Sequence, residues 1–154
     1  MERAVFVGVI KQNDDENKIK EYLDELEFLA ETAGAVGEKK FIQKVDKPNT
    51  KTYIGSGKLE EIKTYITESN INLVIFDDEL SPSQLRNIER ELNCRILDRT
   101  NLILDIFAQR AKTAYAKMSN IKFVLSNILQ FNSLSILRSW EGLSWQTKYQ
   151  NIYR

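Results

Sequence analysis

The sequence predicts an α/β fold: a mostly parallel four-stranded sheet with flanking helices, followed by a helical extension. Two observations carry this expectation. Short β-branched runs alternate with segments of three- and four-residue apolar spacing, the pattern of βαβ crossovers. After Thr100 the strand signal stops, and only helical periodicity remains.

Val5–Ile10 is a continuous apolar run, as in a strand covered on both faces. A polar break at Asn13–Asn17 leads into Ile19, Tyr22, Leu23, Leu26, Leu29, Ala30 and Ala33, one stripe of an amphipathic helix that Gly34 should stop. Phe41–Val45 reads as a second strand, and its partial alternation places it nearer an edge. Pro48 and Asn49 open a loop through Gly57, and Leu59, Ile62 and Ile66 mark a second helix ending near Asn70. Leu73–Phe76 is the clearest buried strand. Ser81 then caps a third helix, with Pro82 at its first position, where a missing N–H costs nothing. Arg95–Leu97 forms a fourth strand. A long helix begins near Asn101, with Thr100 or Asn101 as its cap and Leu102, Ile103, Ile106 and Phe107 as its apolar stripe. The expected division is an α/β subdomain over 1–100 and a long basic helix with its helical tail over 101–154.

Charge divides the same way. Residues 1–100 hold 15 Lys and Arg against 20 Asp and Glu, whereas residues 101–154 hold 7 against 2. A basic end on an acidic body suits a polyanionic partner, or attraction between the two ends or to a neighbouring domain. The arm's Arg110, Lys112, Lys117 and Lys122 are close enough on a helix to form a basic face, with Tyr115 and Phe123 interleaved. That mixture suits RNA phosphates and bases, and equally a solvated face.

Catalytic chemistry is narrowed by composition. The chain contains no histidine, which excludes imidazole bases and most zinc sites. Its one cysteine, Cys94, lies beside Ile96 and Leu97 and reads as a structural thiol. Gly55-Ser56-Gly57-Lys58 resembles part of a phosphate loop, but Thr52 stands where that motif needs glycine and Leu59 where it needs Ser or Thr. A glycine-permitted turn into a helix is preferred, with anion binding by the helix N-terminus as the lesser reading. Asp77-Asp78-Glu79 ends a strand where open α/β sheets place ligands; Mg²⁺ binding is weighed there against a structural role, and the structural role is favoured. Asp98 and Arg99 pair locally or brace the arm against the body. No catalytic or metal residue is assigned. Met1–Val5 begins a strand instead of a signal peptide, and no apolar run approaches the ~18 residues of a membrane span, so a cytoplasmic protein without a membrane partner is expected.

Three blocks, Thr52–Lys58, Phe76–Gln84 and Leu97–Thr100 continuing through Ile103–Ala111, together resemble the N-terminal region of the HflX family of GTPases, over about residues 3–117. The resemblance implies an α/β subdomain followed by a helical hairpin that binds the large ribosomal subunit and its rRNA, directed toward the peptidyl-transferase region. In that family a GTPase domain follows, carrying GTP and Mg²⁺, and the whole protein is implicated in dissociating ribosomes under stress. Here no complete phosphate loop or Asn-Lys-x-Asp motif is present, since Asn17-Lys18-Ile19-Lys20 ends in lysine; no cofactor is therefore expected in this chain. After Lys117 the pattern departs: Ser126-Asn127 stand where the family turn has Pro-Arg, and 131–135 and 140–146 each echo the second helix. A ribosome-binding module is thus the first expectation. A regulatory domain whose arm docks on another protein, such as a separate GTPase domain, is the alternative, with Trp140, Trp145, Tyr149 and Tyr153 available to either.

Overall fold

A computed structural model describes residues 1–115, with side chains through Thr113. Eight elements follow in order: β1 (Glu2–Ile10), α1 (Glu16–Thr32), β2 (Ala35–Lys44), α2 (Ser56–Glu68), β3 (Leu73–Phe76), α3 (Pro82–Leu92), β4 (Arg95–Asp98) and α4 (Arg99–Tyr115). The four strands form one sheet in the order β2-β1-β3-β4, and every neighbouring pair is parallel. The α/β class and parallel sheet are as expected.

The chain crosses the sheet in two directions, from β1 outward to β2 and then back past β1 to β3 and β4. Crossovers of one hand must then place their helices on opposite faces. The core divides accordingly. Val5, Val7, Val9, Val74 and Phe76 pack with Leu59, Ile62 and Ile66 of α2 and Ile88 and Leu92 of α3. Ala4, Phe6, Leu73 and Ile75 pack with Ile19, Leu23, Leu26 and Ala30 of α1 and with Leu102 and Ile106 of α4. The first two turns of the long helix thus close the second core layer. Met1–Arg110 forms one compact unit.

Local chemistry sets the boundaries. Gly34, at φ +90°, turns the chain out of α1 directly into β2. β2 consequently starts at Ala35, earlier than Phe41, because its outer residues Val36, Glu38 and Lys39 are exposed at an edge and give no apolar signal. A bulge interrupts its pairing: Ala4 faces Gly37 and Val5 faces Lys39, leaving Glu38 over to meet Arg3 at 2.6 Å. Gly8 lets α1 approach β1 closely, since a Cβ there would lie 2.9 Å from Leu23 Cδ1. α3 has a full capping box between Ser81 and Gln84, with Pro82 in its first turn. The cap of α4 differs from expectation. Asp98 fills that role, its Oδ1 accepting from the Asn101 amide at 2.8 Å, while Thr100 and Asn101 lie inside the helix.

Candidate functional site

The carboxyl ends of β1 and β3 are neighbours, and the connections that leave them run to opposite faces of the sheet. This is the switch point where doubly wound sheets form a crevice. The adjacent aspartates that follow β3 point to different partners there. Asp77 Oδ1 accepts from Arg99 Nε at 2.9 Å and forms an ion pair with Nη2 at 2.8 Å. Arg99 also donates to the Tyr22 carbonyl at 3.0 Å, lies 3.6 Å from Glu25 and stacks on the Tyr22 ring at 5.9 Å. Asp78 faces the Tyr53 phenol and lies 4.0 Å from Lys11, whose ammonium sits 5.9 Å from the Tyr53 ring centroid.

Burial, and then the charge of Asp78, push the Tyr53 phenol well above its ordinary range. Burial raises Asp78 too, against the opposing pull of Lys11 and the Tyr53 hydroxyl. The phenol therefore stays protonated at neutral pH and serves as a donor, not a nucleophile. Two acids matched by two cations and a phenol make a brace. Asp77 and Asp78 are thus both engaged by side chains of the body.

Tyr53 itself is held by its loop. Its backbone exchanges hydrogen bonds with Asn49 at 2.9 and 3.1 Å, and its φ is +66°. The Asn49 side chain accepts from the amides of Lys51 and Thr52, closing an Asx turn. From α3, Gln84 Nε2 donates to the Asn49 carbonyl and Asn87 Nδ2 to the Lys51 carbonyl, both at 3.0 Å. These contacts join the blocks that resemble one family: Tyr53 of the first meets Asp78 of the second, and Asp77 of the second meets Arg99 of the third.

The other residues singled out in the sequence lie apart from this brace. Gly55 is the N-cap of α2, and its amide donates to Gln43 Oε1 at 2.9 Å. Lys58 Nζ is 2.8 Å from Glu61, while Ser56 and Gly57 are exposed. The first amide of this turn and its lysine are therefore both engaged. Arg110 and Lys112 are exposed in the last two turns of α4; Lys117 and Lys122 lie outside the described residues. Cys94 is half-buried against the α2/α3 core layer, and burial pushes its thiol up to about 11, so it is not a thiolate at neutral pH. Spacing gave no hint of Lys11, Gln43 or Asn87, because each acts through a partner distant in sequence.

At the α4 root, Asp98 is 2% exposed and also accepts from the Leu80 amide at 3.1 Å. Arg95 on β4 pairs with Asp105 of α4 and with Glu2 at 3.2 Å. α4 is therefore tied to β4, β3 and α1 through Asp98, Arg95 and Arg99.

The family described as GTP-binding GTPase N-terminal matches residues 20–108. The chain is 57% identical over 116 residues to the GTPase HflX of Flavobacterium psychrophilum, covering 75% of this chain and 28% of that protein. With the GTPase HflX of Escherichia coli it shares 37% identity over 145 residues, 94% of this chain and 32% of that protein. It also resembles the crystal structure of a GTP-binding protein from the archaeon Sulfolobus solfataricus in complex with GDP, with a TM-score of 0.52, 28% identity, and coverage of 84% of this chain and 43% of that one. The chain thus spans about a third or less of the length of these HflX relatives. It belongs to the HflX family of GTPases and corresponds to the family's N-terminal region.

Proposed function

We propose that this chain is a cytoplasmic ribosome-binding module that engages large-subunit rRNA through the basic arm beginning in α4, and that it carries no catalytic site of its own. The carrying observation is the separation of charge along one helix. The α4 root is held in an acidic body by Asp98, Arg99 and the Arg95–Asp105 pair, while its last two turns expose Arg110 and Lys112. Cations on a braced helix suit phosphates, because neutralised phosphates release counterions and no ordering of the helix root is needed on binding. In this reading Lys117 and Lys122 add to the charge of the arm. Guanine-nucleotide chemistry belongs to the portion of the HflX relatives that this chain does not span.

Sedimentation of the 154-residue chain with isolated large ribosomal subunits at two salt concentrations tests the proposal. Co-sedimentation at low salt that weakens steeply at high salt supports it, and absence of the chain from the subunit pellet at both overturns it. A second reading rests on Phe107, which is 45% exposed three residues before Arg110. An apolar ring beside a cation suits a protein groove, and salt-insensitive capture by a separate GTPase domain would favour that account.

A further inference from the structure

Of the fifteen cations in residues 1–100, Arg3, Lys11, Lys20, Lys40, Lys44, Lys58, Arg95 and Arg99 each pair with a carboxylate, whereas Lys18, Lys39, Lys47, Lys51, Lys63, Arg86 and Arg90 pair with no described one. Four of these seven lie on one loop and one neighbouring helix. Lys47 and Lys51 on the loop before α2, and Arg86 and Arg90 on α3, are all exposed and make no ion pair with any described residue. Exposed Glu89 lies on the same helix and pairs with neither arginine.

The structure places loop and helix together. Gln84 and Asn87 hold the carbonyls of Asn49 and Lys51 at 3.0 Å, which seats Lys51 beside the turn of α3 that carries Arg86. Arg90 follows four residues later, one helical turn along the same face. The Asx turn at Asn49, the Asn49–Tyr53 bridge and the Gly55–Gln43 hydrogen bond fix the loop from its other side. Its cations are therefore presented on a rigid support, although the body as a whole is acidic. Four of the seven unpaired cations gather on this clamped loop and one helix face, and that concentration suits an external anion.

We infer that Lys51, Arg86 and Arg90, flanked by Lys47, form a second RNA-backbone contact, on the α2/α3 side of the sheet and distinct from the arm. A phosphate backbone fits the row because exposed lysines and arginines at helical-turn spacing meet successive phosphates without base readout. The inference shares the RNA partner of the proposed function but rests on different residues.

The test uses the full chain, isolated large ribosomal subunits and a short RNA hairpin, with binding measured across salt. The variants are K51Q/R86Q/R90Q and, separately, R110Q/K112Q/K117Q, each checked by circular dichroism. The three body side chains are exposed and make no ion pair with any described residue, so their replacement should leave the fold in place. Removing three cation–phosphate pairs lowers the salt slope by about 3. Between about 50 and 200 mM salt, the parent should then lose roughly 40-fold more affinity than the body variant does. That result supports the inference, even if the arm variant binds like the parent, in which case the arm reading alone falls. An unchanged slope in the body variant beside a reduced slope in the arm variant overturns the inference and leaves the proposed function standing. Absence of RNA and subunit binding in the parent overturns both, as does capture of the body surface by an acidic polypeptide in place of RNA.

Discussion

Arg99 Nη2 lies 2.8 Å from Asp77 Oδ1, so the first residue of α4 is bonded to the residue that follows β3. Asp77 is only 9% exposed at its side chain and Arg99 30%, which keeps the pair partly out of water. Arg99→Gln should cost about 2 kcal/mol, because the largely buried carboxylate loses its charge-assisted donor. Urea denaturation of R99Q, D77N and the double variant measures this. A coupling near zero in that cycle would show the pair to be a surface contact without energetic weight.

Asp98→Asn should be comparably harmful and should also change the response to pH. One carboxylate oxygen accepts from Asn101 and the other from Leu80, and asparagine can keep only one of these bonds. At neutral pH the cost is about 1–3 kcal/mol. Burial raises the Asp98 carboxyl above its ordinary range, against the pull of the two backbone hydrogen bonds, and Asp78 and Asp105 are raised by burial as well. Each of these groups binds its proton more tightly when folded. Its contribution is full below the unfolded pKa and is lost as pH rises through the folded one. The exposed Glu16, Glu38 and Glu61 are lowered by lysine or arginine partners and act in the opposite sense, but solvent screens them. Urea midpoints of the parent should therefore carry a component that declines from the usual aspartate range upward, and D98N should remove part of it. Superimposable pH profiles would contradict this.

Gly8→Ala tests the closeness of α1 to the sheet. The new Cβ would meet Leu23 Cδ1 at 2.9 Å and Ile19 Cγ2 at 3.2 Å, both in a packed layer. Overpacking of this kind costs about 1–3 kcal/mol. A fall in thermal midpoint is expected, and an unchanged midpoint would mean that α1 shifts freely.

Much of this architecture was legible because its residues act locally. Leu73–Phe76 and the Ser81-Pro82 cap each state their structure within a few positions, and both appear as expected. β2 was legible only in part, since an edge strand with Glu38 and Lys39 exposed has no apolar period to read. The brace was harder still. Arg99 was recognisable as a bridging residue, yet Asp77 and Asp78 belong to partners 22 and 25 positions away, distances at which no periodicity operates. The choice of Asp98 as cap depends on its two carboxylate oxygens, which accept from the Leu80 and Asn101 amides together.

The chain should not bind GTP. Recognition of that nucleotide needs a complete phosphate loop and a base-reading aspartate, whereas the Gly55–Lys58 turn spends its first amide on Gln43 and its lysine on Glu61. Calorimetry with GTP and Mg²⁺ should register no saturable heat. A guanine-selective site of micromolar affinity would refute this.

The salt dependence of large-subunit binding by R110Q/K112Q/K117Q tests the central claim most directly. Glutamine retains helix propensity, so charge is removed without an incentive to unfold α4, and circular dichroism verifies that the helix persists. If the arm meets rRNA phosphates, affinity falls and the salt slope decreases by about 1 for each phosphate that is no longer neutralised. If affinity and slope both match those of the parent chain, the arm does not bind rRNA through these residues, and docking on a protein partner becomes the account to pursue.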